Sequence, residues 1–300
     1  LSGCLCCAKG GLPLMPNGDI VWTYFEGDWH EGNVPVLRAC DQATWNGTLV
    51  FDGARQAHGV IPDLGLHCAR VNRSAETLDM IPTHTPEEIE GIIRDGLEKF
   101  AADDAVYIRP MYWPIEPGEG FITVDPDSVG FAIGLERVPM PPETASATLT
   151  RTRFCRPLQS MATVEAKAAC LYPNNGRMLR EALKKGFSNA LVADAMGNVA
   201  ETATSNIFMV KDAEVFTPAP NGTFLNGITR QRHIGLLRGA GRVVHEAVLT
   251  FEDFHDADEI FMSGNLAKVT PVTAFDDTNY QVGPVTRQAR EVYWDWALSA

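Results

Sequence analysis

The segment Glu136-Arg-Val-Pro-Met-Pro-Pro-Glu-Thr-Ala-Ser146 places three prolines within four positions. Proline fixes φ and has no N–H to donate, so neither a helix nor a central strand runs through such a stretch. A chain of 300 residues is long for one core and comfortable for two. We therefore read residues 19–135 as a small N-terminal α/β domain, 136–146 as a linker and 147–300 as a larger C-terminal domain. Residues 1–18 show no clear periodicity and read as a disordered or non-native start without a secretory signal. The Cys4-Leu-Cys-Cys7 cluster lies there, and no His or second Cys pair follows it at finger spacing.

Short apolar runs alternate with helical patterns on both sides of the linker. Ile20–Phe25 reads as a strand turning at Glu26-Gly-Asp28, and Thr48–Phe51 as a second strand. Leu64–Leu78 and Pro86–Phe100 read as helices. The second has Pro86, Glu87 and Glu88 in its first turn and Ile89, Ile92, Ile93 and Leu97 on one face. In Val106–Met111 the side chains alternate, so Tyr107 and Arg109 share a face. After the linker, 147–153, 190–194, 206–210, 243–248 and 260–262 read as strands, and 178–185 and 286–297 as helices.

The net charge of −13 argues against nonspecific binding to nucleic acid or to an anionic membrane. No apolar run approaches the roughly 20 residues of a spanning helix, so a soluble, cytoplasmic protein is expected. Seven cysteines, the last four scattered through apparent core segments, fit reduced thiols better than a disulfide framework.

The chemistry concentrates between Glu165 and Val210. Lys167 lies among Ala166, Ala168, Ala169 and Leu171. A lysine drawn into apolar surroundings loses hydration, its pKa falls and its amine becomes nucleophilic. Schiff-base chemistry with pyridoxal 5'-phosphate needs such an amine, a partner for the ring hydroxyl, an anion beside the pyridine nitrogen and a phosphate cup. Tyr172 suits the second and Glu201 the third. Gly227-Ile228-Thr229, opening a helix, and Ser263-Gly264-Asn265 suit the cup, with Arg70 as a fixed charge. Each piece has a plain structural alternative: a snorkelling lysine, a strand-edge acid, an N-cap, a helix-surface arginine. A Cys170 nucleophile has no recognisable His partner.

Taken in order, eight stretches resemble the fold-type IV pyridoxal-phosphate enzymes, most closely the branched-chain amino acid aminotransferases. They are Val50-Phe-Asp-Gly-Ala-Arg55, His67-Cys-Ala-Arg70, Tyr107-Ile-Arg-Pro110, Lys167–Tyr172, Glu201-Thr-Ala-Thr-Ser-Asn-Ile-Phe208, Thr217-Pro218, Leu225-Asn-Gly-Ile-Thr-Arg230 and Ala257–Gly264. The resemblance implies a two-domain α/β (α+β) fold, a small α/β domain and a larger pseudo-barrel α/β domain with the cofactor between them. It implies Lys167 as the Schiff-base lysine and proton carrier. Tyr172 would meet the ring oxygen, and Glu201 the ring nitrogen. Arg70, Ile228, Thr229 and Asn265 would form the phosphate cup, beside Thr204, Ser205, Asn206, Gly227 and Gly264. Asn265 stands where the family usually has threonine, which keeps a side-chain donor but alters its reach. Phe51, Tyr107, Arg109, Trp113 and Leu266 would wall the substrate side. A homodimer with a shared active site is also implied.

The implied reaction is ping-pong transamination from a branched-chain L-amino acid to a 2-oxo acid. Arg109 would clamp the second carboxylate of glutamate. The loop Pro114–Phe121 departs from the branched-chain pattern. Glu116 and Glu119 would disfavour a second carboxylate, and Trp113 and Phe121 could reshape the pocket. An (R)-selective amine transaminase or a D-amino acid transaminase therefore stays open, as does an aminodeoxychorismate lyase.

Overall fold

The computed structural model describes residues 18–299, so the cysteine cluster at 4–7 lies outside the described residues. The elements up to the proline-rich segment are β1 (Val21–Phe25), β2 (Asp28–Glu31), α1 (Gln42–Asn46), β3 (Val50–Phe51), β4 (Ala54–Gln56), α2 (Leu64–Thr77), α3 (Pro86–Leu97), β5 (Val106–Pro114) and β6 (Val129–Arg137). The strands form one antiparallel sheet in the order β2-β1-β6-β5-β3, with β4 also paired to β5. Strand β6 runs two residues into the segment read as a linker.

Helix α3 starts where local chemistry says it should. Thr85 and Glu88 form a reciprocal capping box, Pro86 fills the first turn, and Ile89, Ile93 and Leu97 are buried. In α2, Cys68, Val71 and Ala75 are fully buried in the core shared with Val106 and Ile108 of β5. The same helix carries His67, Arg70 and Ser74 at helical spacing on a second buried stripe.

The second sheet is built from β7 (Ala147–Cys155), β8 (Asn189–Ala193), β9 (Val199–Thr202), β10 (Asn206–Lys211), β11 (Glu214–Pro218), β12 (Val244–Ala247), β13 (Glu259–Gly264), β14 (Lys268–Phe275) and β15 (Thr278–Asn279). Its order is β12-β11-β10-β13-β14-β7-β8-β9, with β15 on β14. The β11–β12, β14–β7 and β7–β8 pairs are parallel and the rest antiparallel. Helices α4 (Tyr172–Lys184), α5 (Ile228–Gly239), α6 (Phe251–His255) and α7 (Pro284–Ser299) accompany it. Strand β13 is buried from Glu259 to Ser263, as expected of a strand covered on both faces. Short α6 was missed in sequence, although its Thr250–Asp253 capping box is a readable start signal.

The sheets are laced together at several points. Phe51 N–H donates to Lys167 O (3.1 Å), Ala169 N–H to Leu49 O (2.8 Å), and Lys167 N–H to Ser74 Oγ (3.1 Å). Val50 and Ala168 thereby form an antiparallel bridge. Buried Arg55 donates to the carbonyls of Val138 (2.5 Å) and Pro139 (2.9 Å), which fastens the start of the proline-rich segment to β4. Of the described cysteines only Cys68 is buried; Cys40, Cys155 and Cys170 are exposed, against the expected core placement. Among the described residues no helix is long and apolar enough to cross a membrane.

Candidate active site

Between the two sheets lies a cavity of about 300 Å³. Lys167, Arg70, Tyr172, Glu201, Thr204, Ser205, Asn206, Gly227, Ile228, Thr229, Gly264, Asn265, Phe51, Tyr107 and Leu266 all line it. Their positions follow from local structure. The bridge to β3 fixes the Lys167 backbone. Tyr172 opens α4 with Pro173 behind it, five residues after the lysine. Nζ of Lys167 donates to the Tyr172 hydroxyl (2.7 Å) and sits 5.0 Å from the Phe51 ring centre.

The Lys167 amine is held above its ordinary value, not below it as the apolar neighbours suggested. Burial pulls it down, but Tyr172, then Asp52 and Tyr107, outweigh burial together with the repulsion from Arg70. One near neighbour in sequence, Tyr172, and two distant ones, Asp52 and Tyr107, together decide its proton.

At one end of the cavity, Glu201 on β9 pairs with Arg156, whose Nε lies 3.1 Å from its Oε1. Arg156 also donates from Nε to Thr223 O (3.2 Å) and from Nη1 to Asn175 Oδ1 (2.5 Å). Burial pushes Glu201 up to about 7 against the pull of Arg156 and Lys167. Asn206 Nδ2 is 3.5 Å from Glu201 Oε2 and donates to Leu225 O (3.0 Å). The tight turn from β9 into β10, closed by Thr202 N–H to Ser205 O (2.8 Å), brings Thr204 and Ser205 to the wall.

Asp52 organises the other end. It is fully buried and accepts from Arg70 Nε (2.6 Å) and Nη2 (2.8 Å), and from Gly53 N–H (2.6 Å). His67 Nδ1 lies 2.7 Å from it. Burial resists this charge, but Arg70 and His67 hold the Asp52 carboxyl far below the usual carboxylate range. Arg70 Nη1 is buried and has no partner. Across from it, α5 begins at Gly227 without a side-chain cap, leaving its first N–H groups directed at the cavity. A Cβ on Gly227 would collide with Asn206 Oδ1, which is why glycine is needed at this close approach.

This donor set fits pyridoxal phosphate. An orphaned guanidinium nitrogen and a bare helix start suit a phosphate, a buried acid at the far end suits the ring nitrogen, and a lysine lies between.

Three assignments need correction. Trp113 does not wall the cavity: it shares the Tyr107 face of β5 but lies six residues further along the strand, where it is buried beside Phe25 and Ala43 in the first sheet's own core. Arg109 also lies outside the lining; its Nη2 is 3.5 Å from Glu136 Oε2 and its guanidinium sits over the Tyr107 ring. The Asn265 side chain is not presented to an anion: Nδ2 donates to Gly53 O (2.6 Å) and Oδ1 accepts from Lys268. Phe121, expected to reshape the pocket, is exposed. Sequence reading missed Asp52, His67 and Arg156 as site residues. The first two sit in the quoted motifs, whereas Arg156 meets Glu201 only through the fold.

The profile of the amino-transferase class IV family matches residues 49–275. The chain is similar to a probable branched-chain-amino-acid aminotransferase of Aquifex aeolicus, at 30% identity over 94% of each chain. It is also similar to an aminotransferase from Brucella abortus solved with bound PLP, at 56% identity and TM-score 0.91, over 93% of this chain and 99% of that one. The Escherichia coli branched-chain amino acid aminotransferase superposes at TM-score 0.85 and 27% identity, over 93% and 95%. The fold-type IV α/β architecture and the transaminase class expected from the motifs are thus shown: the chain belongs to the class IV amino-transferases, a pyridoxal-phosphate-dependent family.

Proposed function

We propose that this enzyme moves an amino group from a branched-chain L-amino acid to a 2-oxo acid in two half-reactions that share one cavity. One observation carries the reading: a single cavity joins the Lys167–Tyr172 pair, the Glu201–Arg156 pair and the unpartnered Arg70 Nη1. When bound, pyridoxal phosphate supplies the aldehyde that takes the amino group and a ring that accepts electrons from the substrate's alpha carbon. Lys167 would hold the cofactor through its amine and, when that amine is free, would carry the proton at the substrate's alpha carbon. Tyr172 orients that amine. Glu201 would meet the ring nitrogen, with Arg156 keeping a cation behind it. Arg70 and the N–H groups of Ile228 and Thr229 hold the phosphate. Phe51, Tyr107 and Leu266 line the substrate side. We read 19–135 and 147–300 as the two domains, with the strand end at Arg137 shortening the linker between them. A homodimer with a shared site and a cytoplasmic location complete the reading.

A second reading, an (R)-selective amine or D-amino acid transaminase, is favoured by the contact of Arg109 with Glu136, which among the described residues leaves no arginine beside Phe51, Tyr107 and Leu266 for a second carboxylate. An absorbance spectrum separates the two. A band near roughly 410–420 nm in the loaded protein, moving toward about 330 nm with L-leucine or L-glutamate, supports the branched-chain reading. Movement only with (R)-1-phenylethylamine or a D-amino acid supports the second. No visible band after incubation with pyridoxal phosphate overturns both.

A further inference from the structure

Lys268 is placed at some cost. It is 1% exposed, and among the described residues no carboxylate pairs with its amine. Its φ is +64°, and Val269 N–H donates to Ala267 O (2.8 Å) around it, which makes it the centre of a γ-turn. Side chains rarely adopt that conformation, and an ammonium is poorly solvated in an interior. Two unfavourable features at one residue call for a compensating role.

The one hydrogen bond of the Lys268 amine supplies it. Nζ donates to Asn265 Oδ1, and Asn265 Nδ2 donates to Gly53 O (2.6 Å). A side-chain amide can sit either way round. Beside an amine that only donates hydrogen bonds in this contact, the carbonyl end must face Nζ, so the donating end is driven toward Gly53. Gly53 N–H in turn donates to Asp52, and Asp52 grips Arg70 through two bonds and His67 through a third. One continuous chain of hydrogen bonds thus runs from β14, across the boundary between the sheets, to the arginine with the unpartnered Nη1. Gly53 cannot be bulkier here, because the Tyr107 hydroxyl occupies the place of a Cβ.

Resting on the cofactor reading above, we propose that Lys268 and Asn265 are positioning residues for the phosphate end of the cavity. They strut the loop after β13 against Gly53 and, through Gly53 and Asp52, hold Arg70 with Nη1 free for an anion. The charged and titratable groups around Lys268 come from four elements: Arg55 on β4, Asp63 and His67 at the start of α2, His233 on α5 and Tyr293 on α7. Burial and then Arg55 lower the amine to about 7, with Asp63 opposing. Protonated or neutral, the amine still donates to Asn265, so the strut survives the loss of its charge.

The test compares wild type, Lys268→Met, Lys268→Gln and Asn265→Ala by titration with pyridoxal phosphate, by the ³¹P signal of the bound cofactor and by thermal unfolding. Lys268→Met is expected to raise the dissociation constant about tenfold, the scale of one hydrogen bond linked to a charged group, and to move the phosphorus signal. Lys268→Gln, which keeps a donor, is expected to restore most of both. Asn265→Ala should match Lys268→Met, and it decides the matter alone if the methionine variant does not fold. Lower thermal stability with unchanged affinity and phosphorus signal would mean a merely structural lysine and overturns the strut. Variants that load like a loading wild type overturn the strut alone; a wild type that takes up no cofactor removes the cofactor reading as well.

Discussion

The two ends of the cavity each hold a buried carboxylate beside an arginine, yet they titrate in opposite directions. Asp52 has two bonds from Arg70, one from Gly53 N–H and His67 alongside, and its proton is driven off far below the usual range. Glu201 has Arg156 at 3.1 Å and an amide at 3.5 Å, and burial wins, raising it to about 7. Burial sets the cost of a charge, but the number and closeness of donors decide whether it is met. The Asp52 end is therefore a permanently charged clamp, whereas the Glu201 end is left short of donors. A protonated ring nitrogen is the group that would complete it.

Changing each part in turn tests this contrast. Lys167, between the two ends, has the largest expected effect: Lys167→Ala should cost about 10³-fold or more in turnover, read by steady-state assay with cofactor present. Near-normal turnover would break the scheme. Asp52→Asn removes the only carboxylate bonded to Arg70 and His67 among the described contacts. A loss of about 3–5 kcal/mol in urea unfolding is expected, as for any buried pair deprived of one partner; a mild loss would mean that Arg70 finds water or another acceptor. Glu201→Gln should slow turnover by about 10²-fold with a smaller effect on the fold.

The same contrast has a pH signature. Glu201 titrates higher in the folded chain than its ordinary 4.5, so the stability it contributes is complete below about 4.5 and is lost as pH rises through about 7. Unfolding of cofactor-free protein across that window should lose this slope in Glu201→Gln. An unchanged slope would move the titration to another group. The smallest effect is expected at Arg109: Arg109→Ala should leave turnover with L-leucine within about threefold, because the side chain is partnered with Glu136 outside the cavity. A large loss confined to glutamate would restore the clamp expected from the sequence.

Much of this site was legible from the chain because its parts lie in local motifs. Lys167 and Tyr172 are five residues apart, Gly227 precedes a helix, and Ala203–Ser205 fill a tight turn between strands. Elements with strong local signals, such as α3 with its capping box, also read correctly. The illegible parts depend on contacts between distant segments. Arg156 meets Glu201 only because β7, β8 and β9 lie side by side. Trp113 and Arg109 were assigned from motif position, and their destinations depend on what covers one face of β5 along its length. The direction of the Lys167 shift failed because the apolar neighbours were weighed without Tyr172, five residues on, and without Asp52 and Tyr107, which are remote in sequence.

The antiparallel bridge between Val50 and Ala168 has a mechanical consequence. By sequence Lys167 belongs to the second half of the chain, but its peptide carbonyl and the N–H of Ala169 are stitched to β3 of the first sheet. Drawing the halves apart would carry the lysine with one and Glu201 with the other, so the jaws cannot part there without snapping both stitches. Arg55 likewise ties the carbonyls of Val138 and Pro139, at the start of the proline-rich segment, to β4. The place of the lysine is thus set by both parts of the chain.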